Sequence, residues 1–209
     1  MVKEKSKSYF IFVIVAIILV LTTYFLTSYY TKNSQEQNII FFKEYSIALN
    51  NINIALGDLS LAIGNLDTGN YYIQTKEYYY DSAVIYYDVG KEQVLDAKEL
   101  INKAKTKLQT LKDNAPNSFF QEDVNNRIEQ TDALILVGNS LYSLLDYERQ
   151  QLYEINYGSE TKATEYYNKY TALIPLYNNH LKILSDVQNK IDLYWDQDWY
   201  VTFQETSSI

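Results

Sequence analysis

Residues 47–67 repeat one seven-residue pattern three times: Ile47-Ala48-Leu49-Asn50-Asn51-Ile52-Asn53, Ile54-Ala55-Leu56-Gly57-Asp58-Leu59-Ser60 and Leu61-Ala62-Ile63-Gly64-Asn65-Leu66-Asp67. Seven residues are two turns of an α-helix, so the repeat keeps one seam facing a neighbouring helix along its whole length. The seam predicted here runs through Phe42, Tyr45, Leu49, Ile52, Leu56, Leu59, Ile63 and Leu66, with Ala48, Ala55 and Ala62 widening it by small side chains that admit a close neighbour. Ile47, Ile54 and Leu61 fall roughly 150° from that seam, isolated among Asn, Asp and Ser. Beside them stand Gly57 and Gly64. An aliphatic row next to small residues is what a second helix–helix contact needs, which makes these five residues the candidate partner contact.

The same alternation of three and four continues through the chain. A second segment carries it in Tyr80, Ala83, Tyr87, Gly90, Val94, Ala97, Ile101, Ala104, Leu108 and Leu111. A third is looser, using Val124, Ile128, Thr131, Ile135, Leu141, Leu145, Leu152 and Ile155, and a fourth uses Tyr167, Tyr170, Ile174, Tyr177, Leu181, Leu184, Ile191 and Trp195. Breaker clusters at Asp67-Thr68-Gly69-Asn70, Asp113-Asn114-Ala115-Pro116-Asn117 and Asn156-Tyr157-Gly158-Ser159 separate the segments. Helices are therefore expected at about 36–66, 71–112, 118–156 and 159–196, with Ser118 as a cap for the third. Short loops between long helices force antiparallel neighbours. The expected fold is all-α, an antiparallel up-down-up-down four-helix bundle over residues 31–200, followed by a tail at 201–209.

Ahead of the bundle lies an uncharged run from Tyr9 to Tyr30, preceded by Lys3, Lys5 and Lys7. A bilayer core needs about 20 apolar residues in helical form, and a cleaved signal would have a shorter apolar region and a small-residue cleavage site. The run is read as a single-pass signal-anchor. With only Lys32 close behind it, the excess of lysine in front leaves residues 1–8 in the cytoplasm and sends the remainder outside. Nothing in the bridge at 31–38 obliges the anchor helix to stop before the bundle. That topology would place the 113–117 loop and the end of the fourth helix beside the bilayer, where Phe119, Phe120, Tyr194, Trp195, Trp199 and Tyr200 are candidate membrane-interface residues.

The net charge of −8 includes +2 from Lys3, Lys5, Lys7 and Glu4, so the exported part carries −10. That balance argues against nucleic acid as a partner. Cysteine is absent, and packing alone must hold the exported part together. Catalytic chemistry has little to stand on. His180 is the one histidine, which excludes the paired Glu-x-x-His motifs of di-metal bundles, and no glycine pattern resembles a phosphate loop. Neither an enzymatic activity, a cofactor nor a metal is expected. Gly90, Gly138 and Pro175 fall near one level of the expected bundle, with Tyr45, Tyr87, Tyr142 and Tyr177 around them, and this layer is a candidate small-ligand pocket.

An anchor followed by an exported four-helix bundle resembles, in architecture over residues 9–200, the sensory half of bacterial chemoreceptors, which would imply ligand sensing. The chain departs from that pattern in having no second span after Trp199 and no signalling domain, so any signal would pass through a partner. The favoured expectation is a structural or protein-interaction subunit at the cell membrane. Its expected partners are the lipid bilayer and a membrane or envelope protein or a second copy of the chain.

Overall fold

The computed structural model describes residues 2–75 and 80–206, with side chains placed for Thr27, 31–74 and 80–196. These residues are all-helical. Helix α1 spans Val2–Thr75, α2 Tyr80–Leu111, α3 Ser118–Tyr157 and α4 Glu160–Thr206, with a 3-10 turn at Lys112–Asn114. The chain forms two compact units, Met1–Lys43 and Glu44–Ile209.

In the first unit the backbone is helical from Val2, through the run from Tyr9 to Tyr30, whose side chains lie outside the described residues. Among the described residues one helix, close to the N-terminus, is long and apolar enough to cross a membrane by length and composition: the stretch Thr31–Gln74. Much of that stretch has another use for its apolar residues. Ala48, Ile52, Ala55, Leu59, Ala62 and Leu66 are buried in the core of the second unit.

Within the second unit, polar pairs record how the helices run. Lys107 pairs with Glu44, Asn65 Nδ2 donates to Gln93 Oε1 at 2.7 Å, and Tyr87 donates to Asn70, so α1 and α2 run in opposite directions. Between α2 and α3 the ion pairs are Lys105–Asp132 at 2.5 Å, Lys91–Asp146 and Arg149–Asp88 at 2.5 Å. Lys91 and Lys105, two heptads apart, are matched by Asp146 and Asp132, also two heptads apart, on the facing helix. Surface pairs of this kind contribute roughly 0.2–1 kcal/mol each, but a repeat of them favours one register over a slipped one. Helices α3 and α4 are likewise antiparallel, joined by Gln130 Nε2 donating to Gln188 Oε1 at 2.7 Å, Lys190–Glu129 at 2.8 Å and a Ser140–His180 contact at 3.2 Å.

The second periodic segment lies as its rhythm predicts. Ala83, Tyr87, Gly90, Val94, Ala97, Ile101, Ala104, Leu108 and Leu111 are all buried. The first segment is rotated a little from expectation. Ala48, Ala55 and Ala62 are its fully buried centre, while Leu49, Leu56 and Ile63 are half-buried on the flank. Small side chains let the neighbouring backbones close in, and the larger ones then cover the sides of the contact.

The expected break at 67–70 is absent, because α1 continues to Thr75. Three of the four residues that signalled a loop there are satisfied inside the helix or by a neighbour. Thr68 Oγ1 donates to the Gly64 carbonyl at 2.7 Å, Gly69 is buried against the Tyr87 ring, and the Asn70 side chain accepts from Tyr87 at 2.7 Å. The other two breaks fall near their expected places. Asn117, in extended conformation, caps α3 by accepting from the Phe120 amide at 3.0 Å, in place of Ser118, which is the first helical residue. At the far end the Glu154 side chain accepts from the Ser159 amide at 3.0 Å. Pro175 lies inside α4, which runs through it and past the expected end at 196.

Candidate functional site

The core of the second unit is tied by polar clusters at two well-separated places. In one, the Asp123 carboxylate is fully buried and accepts from two side chains, Tyr45 Oη on α1 and Trp195 Nε1 on α4 at 3.0 Å, and forms an ion pair with Arg127, whose Nε lies 3.6 Å away. Burial, and then the neighbouring Asp123 charge, push the Tyr45 hydroxyl well above the usual phenol range, so it stays a donor. Around this carboxylate Phe119 stacks on Tyr194 with centroids 4.9 Å apart and meets Trp195 edge-on at 5.1 Å, while Tyr194 donates to the Phe119 carbonyl at 2.9 Å. Four of the candidate membrane-interface residues, Phe119, Phe120, Tyr194 and Trp195, are thus half-buried against one another. The side chains of Trp199 and Tyr200 lie outside the described residues.

The other cluster holds Tyr87, Asn70, Tyr170 and Glu148, one from each helix. Tyr87 is fully buried, donates to Asn70, and Asn70 Nδ2 reaches Tyr170 Oη at 3.4 Å. Glu148 is 8% exposed with no ion-pair partner among the described residues, and burial pushes its carboxyl up to about 7.

The proposed pocket layer is not gathered as expected. Tyr45 belongs to the Asp123 cluster and Tyr87 to the Asn70 cluster. A methyl group built on Gly90 would lie 3.0 Å from Leu145 Cδ2 and 3.4 Å from the Ala62 carbonyl, and one on Gly138 would lie 3.3 Å from Lys98 Cγ. At Gly90 the missing side chain admits the Leu145 side chain and the Ala62 backbone, and at Gly138 it admits the Lys98 side chain. Lys91 sits 5.1 Å above the Tyr142 ring, and the buried Tyr177 hydroxyl has no hydrogen-bond partner. A Gly90→Leu substitution is expected to destabilise the fold by about 1–3 kcal/mol through overpacking against Leu145, read as a lower midpoint in denaturant. Unchanged stability would mean that the α1–α2–α3 contact is looser than this geometry.

The α1 row stands in the opposite situation. Ile47, Ile54 and Leu61 are 39%, 46% and 58% exposed, and a methyl group on Gly57 or Gly64 would meet nothing within 4 Å. Together with Asn50 these residues form a second seam on the outer side of the helix: Ile47, Asn50, Ile54, Gly57, Leu61 and Gly64 alternate by three and four, large with small. Asp58, half-buried, is the one charged residue between Ser46 and Leu66.

Of the six buried polar residues of α3, sequence reasoning anticipated Thr131 and missed Ser140 together with Asp123, Asn126, Gln130 and Glu148, of which the last four are 0%, 2%, 2% and 8% exposed. The signal was present. Extending the rhythm of Leu134, Val137, Leu141 and Leu144 in both directions lands on Gln130, then Asn126 or Arg127, then Asp123, and on Glu148.

Comparisons of the chain with protein-family models, with curated protein sequences and with solved structures bring no match.

Proposed function

We propose that this chain is a membrane-anchored, extracytoplasmic protein that serves as a structural or interaction subunit of a membrane or envelope complex. The uncharged helix at 9–30 anchors it, and residues 44–196 form an antiparallel up-down-up-down four-helix bundle, a reading supported by the antiparallel order of the α1–α2, α2–α3 and α3–α4 pairs. Its partner contacts the outer seam of α1. The observation that carries this reading is the open space at Gly57 and Gly64 beside an exposed, almost chargeless aliphatic row.

Glycine inside an exposed helix costs about 0.5–1 kcal/mol relative to alanine, and nothing within the described residues needs the missing side chains. Large residues alternating with glycine offer a partner helix both knobs and holes, and a face whose one charge is Asp58 can be covered with a small desolvation penalty. Anchoring in the same membrane raises the effective concentration of such a partner, so a modest seam suffices.

Two substitutions with opposite effects test the reading. Gly57→Ala with Gly64→Ala is expected to stabilise the isolated fold by about 1–2 kcal/mol, raising Tm by roughly 2–8 °C, while weakening association. Ile54→Glu with Leu61→Lys is expected to abolish association with little change in Tm, since both side chains already face solvent. Size analysis and stoichiometric co-purification from mild detergent read association. If both variants keep the oligomeric state and partner content of the unaltered chain, the α1 seam is not a contact surface.

A further inference from the structure

The outer face of α1 carries the heptad of residues 46–65 in a second frame. Ile47, Ile54 and Leu61 take its first position and Asn50, Gly57 and Gly64 its fourth, and all six are exposed. In a parallel, in-register pair of helices these positions meet their own counterparts across a two-fold axis, and each first-position side chain enters a hole bounded by two fourth-position residues of the neighbour. For Leu61 those residues are Gly57 and Gly64. For Ile54 they are Asn50 and Gly57. The holes have room, since a methyl group on either glycine would meet nothing within 4 Å.

Two polar features select what fills the seam. Asn50 is poorly matched to an apolar partner, which offers its amide no hydrogen bond. Against its own copy it is satisfied, because a side-chain amide donates and accepts at once. Asp58 is the one charged residue on this stretch, and in a parallel pair its flanking position faces residue 53 of the neighbour, five places earlier in the sequence. That residue is an exposed asparagine, a donor for the carboxylate. The two Asp58 carboxylates then lie on opposite sides of the seam, and no like charges meet. Tethering of both copies by their N-terminal ends in one membrane favours the parallel orientation. It also raises the local concentration that a seam of three heptads, about 30 Å long, requires.

Resting on the reading of the α1 seam as a contact surface, we propose that its partner is a second copy of the chain. The dimer is parallel and in register, its two-fold axis passes between the two Asn50 side chains, and a hydrogen bond from Asn53 to Asp58 closes each flank.

The chain contains no cysteine, so single-cysteine variants report proximity without interference. The test is oxidation by copper phenanthroline of the full chain reconstituted in phosphatidylcholine vesicles. Asn50→Cys and Gly57→Cys are expected to form disulfide-linked dimers at least ~10-fold faster than Thr106→Cys, at an exposed position of α2. In the Gly57→Cys background, Asn53→Asp sets two carboxylates face to face on each flank and is expected to slow cross-linking ~3-fold or more. Asn53→Asp with Asp58→Asn is expected to restore it. Only contact between copies produces that rescue, because residues five apart on one helix are not neighbours. Cross-linking at 50 and 57 no faster than at 106, or failure of the exchanged pair to restore it, overturns the dimer. Co-purification separates this from the wider reading: loss of a different protein on Ile54→Glu with Leu61→Lys, without cross-linking between copies, would keep the α1 seam as a contact surface and put that protein in place of the second copy.

Discussion

Replacing Asp123 with alanine is expected to destabilise the fold by about 3–5 kcal/mol, a Tm loss of roughly 6–20 °C. The carboxylate has no contact with solvent and joins three helices, accepting from Tyr45 on α1 and from Trp195 Nε1 on α4 at 3.0 Å, with Arg127 of its own helix at 3.6 Å. Alanine removes the acceptor and leaves the Tyr45 and Trp195 donors and the Arg127 charge behind, and a stranded buried donor costs more than a satisfied one contributes. Asp123→Asn keeps the shape and one acceptor oxygen, so it should lose less than the alanine variant. Tyr45→Phe and Trp195→Phe each withdraw a single donor from a carboxylate that retains others, and about 1–3 kcal/mol apiece is expected. Denaturant unfolding of the full chain in mild detergent, followed by circular dichroism, measures the series. If Asp123→Ala changes stability by less than about 1 kcal/mol, the carboxylate does not pin these helices. Non-additivity in the Tyr45→Phe, Asp123→Asn cycle would show that the pair acts as a unit.

The apolar pattern was most legible where it was densest. Along α2 the three–four rhythm identifies every residue from Ala83 to Leu111 that is buried in the structure, because no polar residue interrupts it. On α1 the same rhythm finds the right face but misplaces its centre. A propensity for leucine in cores outweighs alanine in such a reading, whereas close packing puts Ala48, Ala55 and Ala62 innermost. The loop expected at 67–70 failed for a different reason. Local breaker chemistry was overridden by tertiary partners, since Gly69 and Asn70 are held by Tyr87 from the next helix. Helix α3 was the least legible, because its inner face is built partly from Asp123, Asn126, Gln130 and Glu148, residues that an apolar pattern search passes over. Of the candidate sites, the α1 row could be read directly, as an apolar residue where the seam does not need one.

Glu148 should make the stability of the fold fall as pH rises from about 4.5 to about 7, by about 2–3 kcal/mol. Its surroundings come from every helix of the unit: Tyr87 on α2 and Tyr170 on α4 are the ionisable groups beside it, and Asn70 on α1 bonds to both of those. No cation balances the carboxylate among the described residues. Burial therefore acts alone on it, favouring the neutral acid in the folded state, where the unfolded chain ionises at the ordinary value of 4.5. Below that value both states hold the proton and the site carries no charge penalty. Between the two values the folded state binds the proton and the unfolded state does not, so stability declines with rising pH. Above about 7 both states are ionised and the penalty is complete. Glu148→Gln keeps the size of the side chain without the titration. It is expected to match the unaltered chain at pH 4 and to exceed it by about 2–3 kcal/mol at pH 8. Taking the difference between the two proteins at each pH removes the contribution of every other carboxylate, so the test isolates this one. A difference independent of pH would mean that Glu148 is solvated or paired when the protein is folded. A difference that grows as predicted would mean that the chain keeps a destabilising carboxyl where glutamine is the better packed choice, and that its retention has a cause outside the stability of the fold.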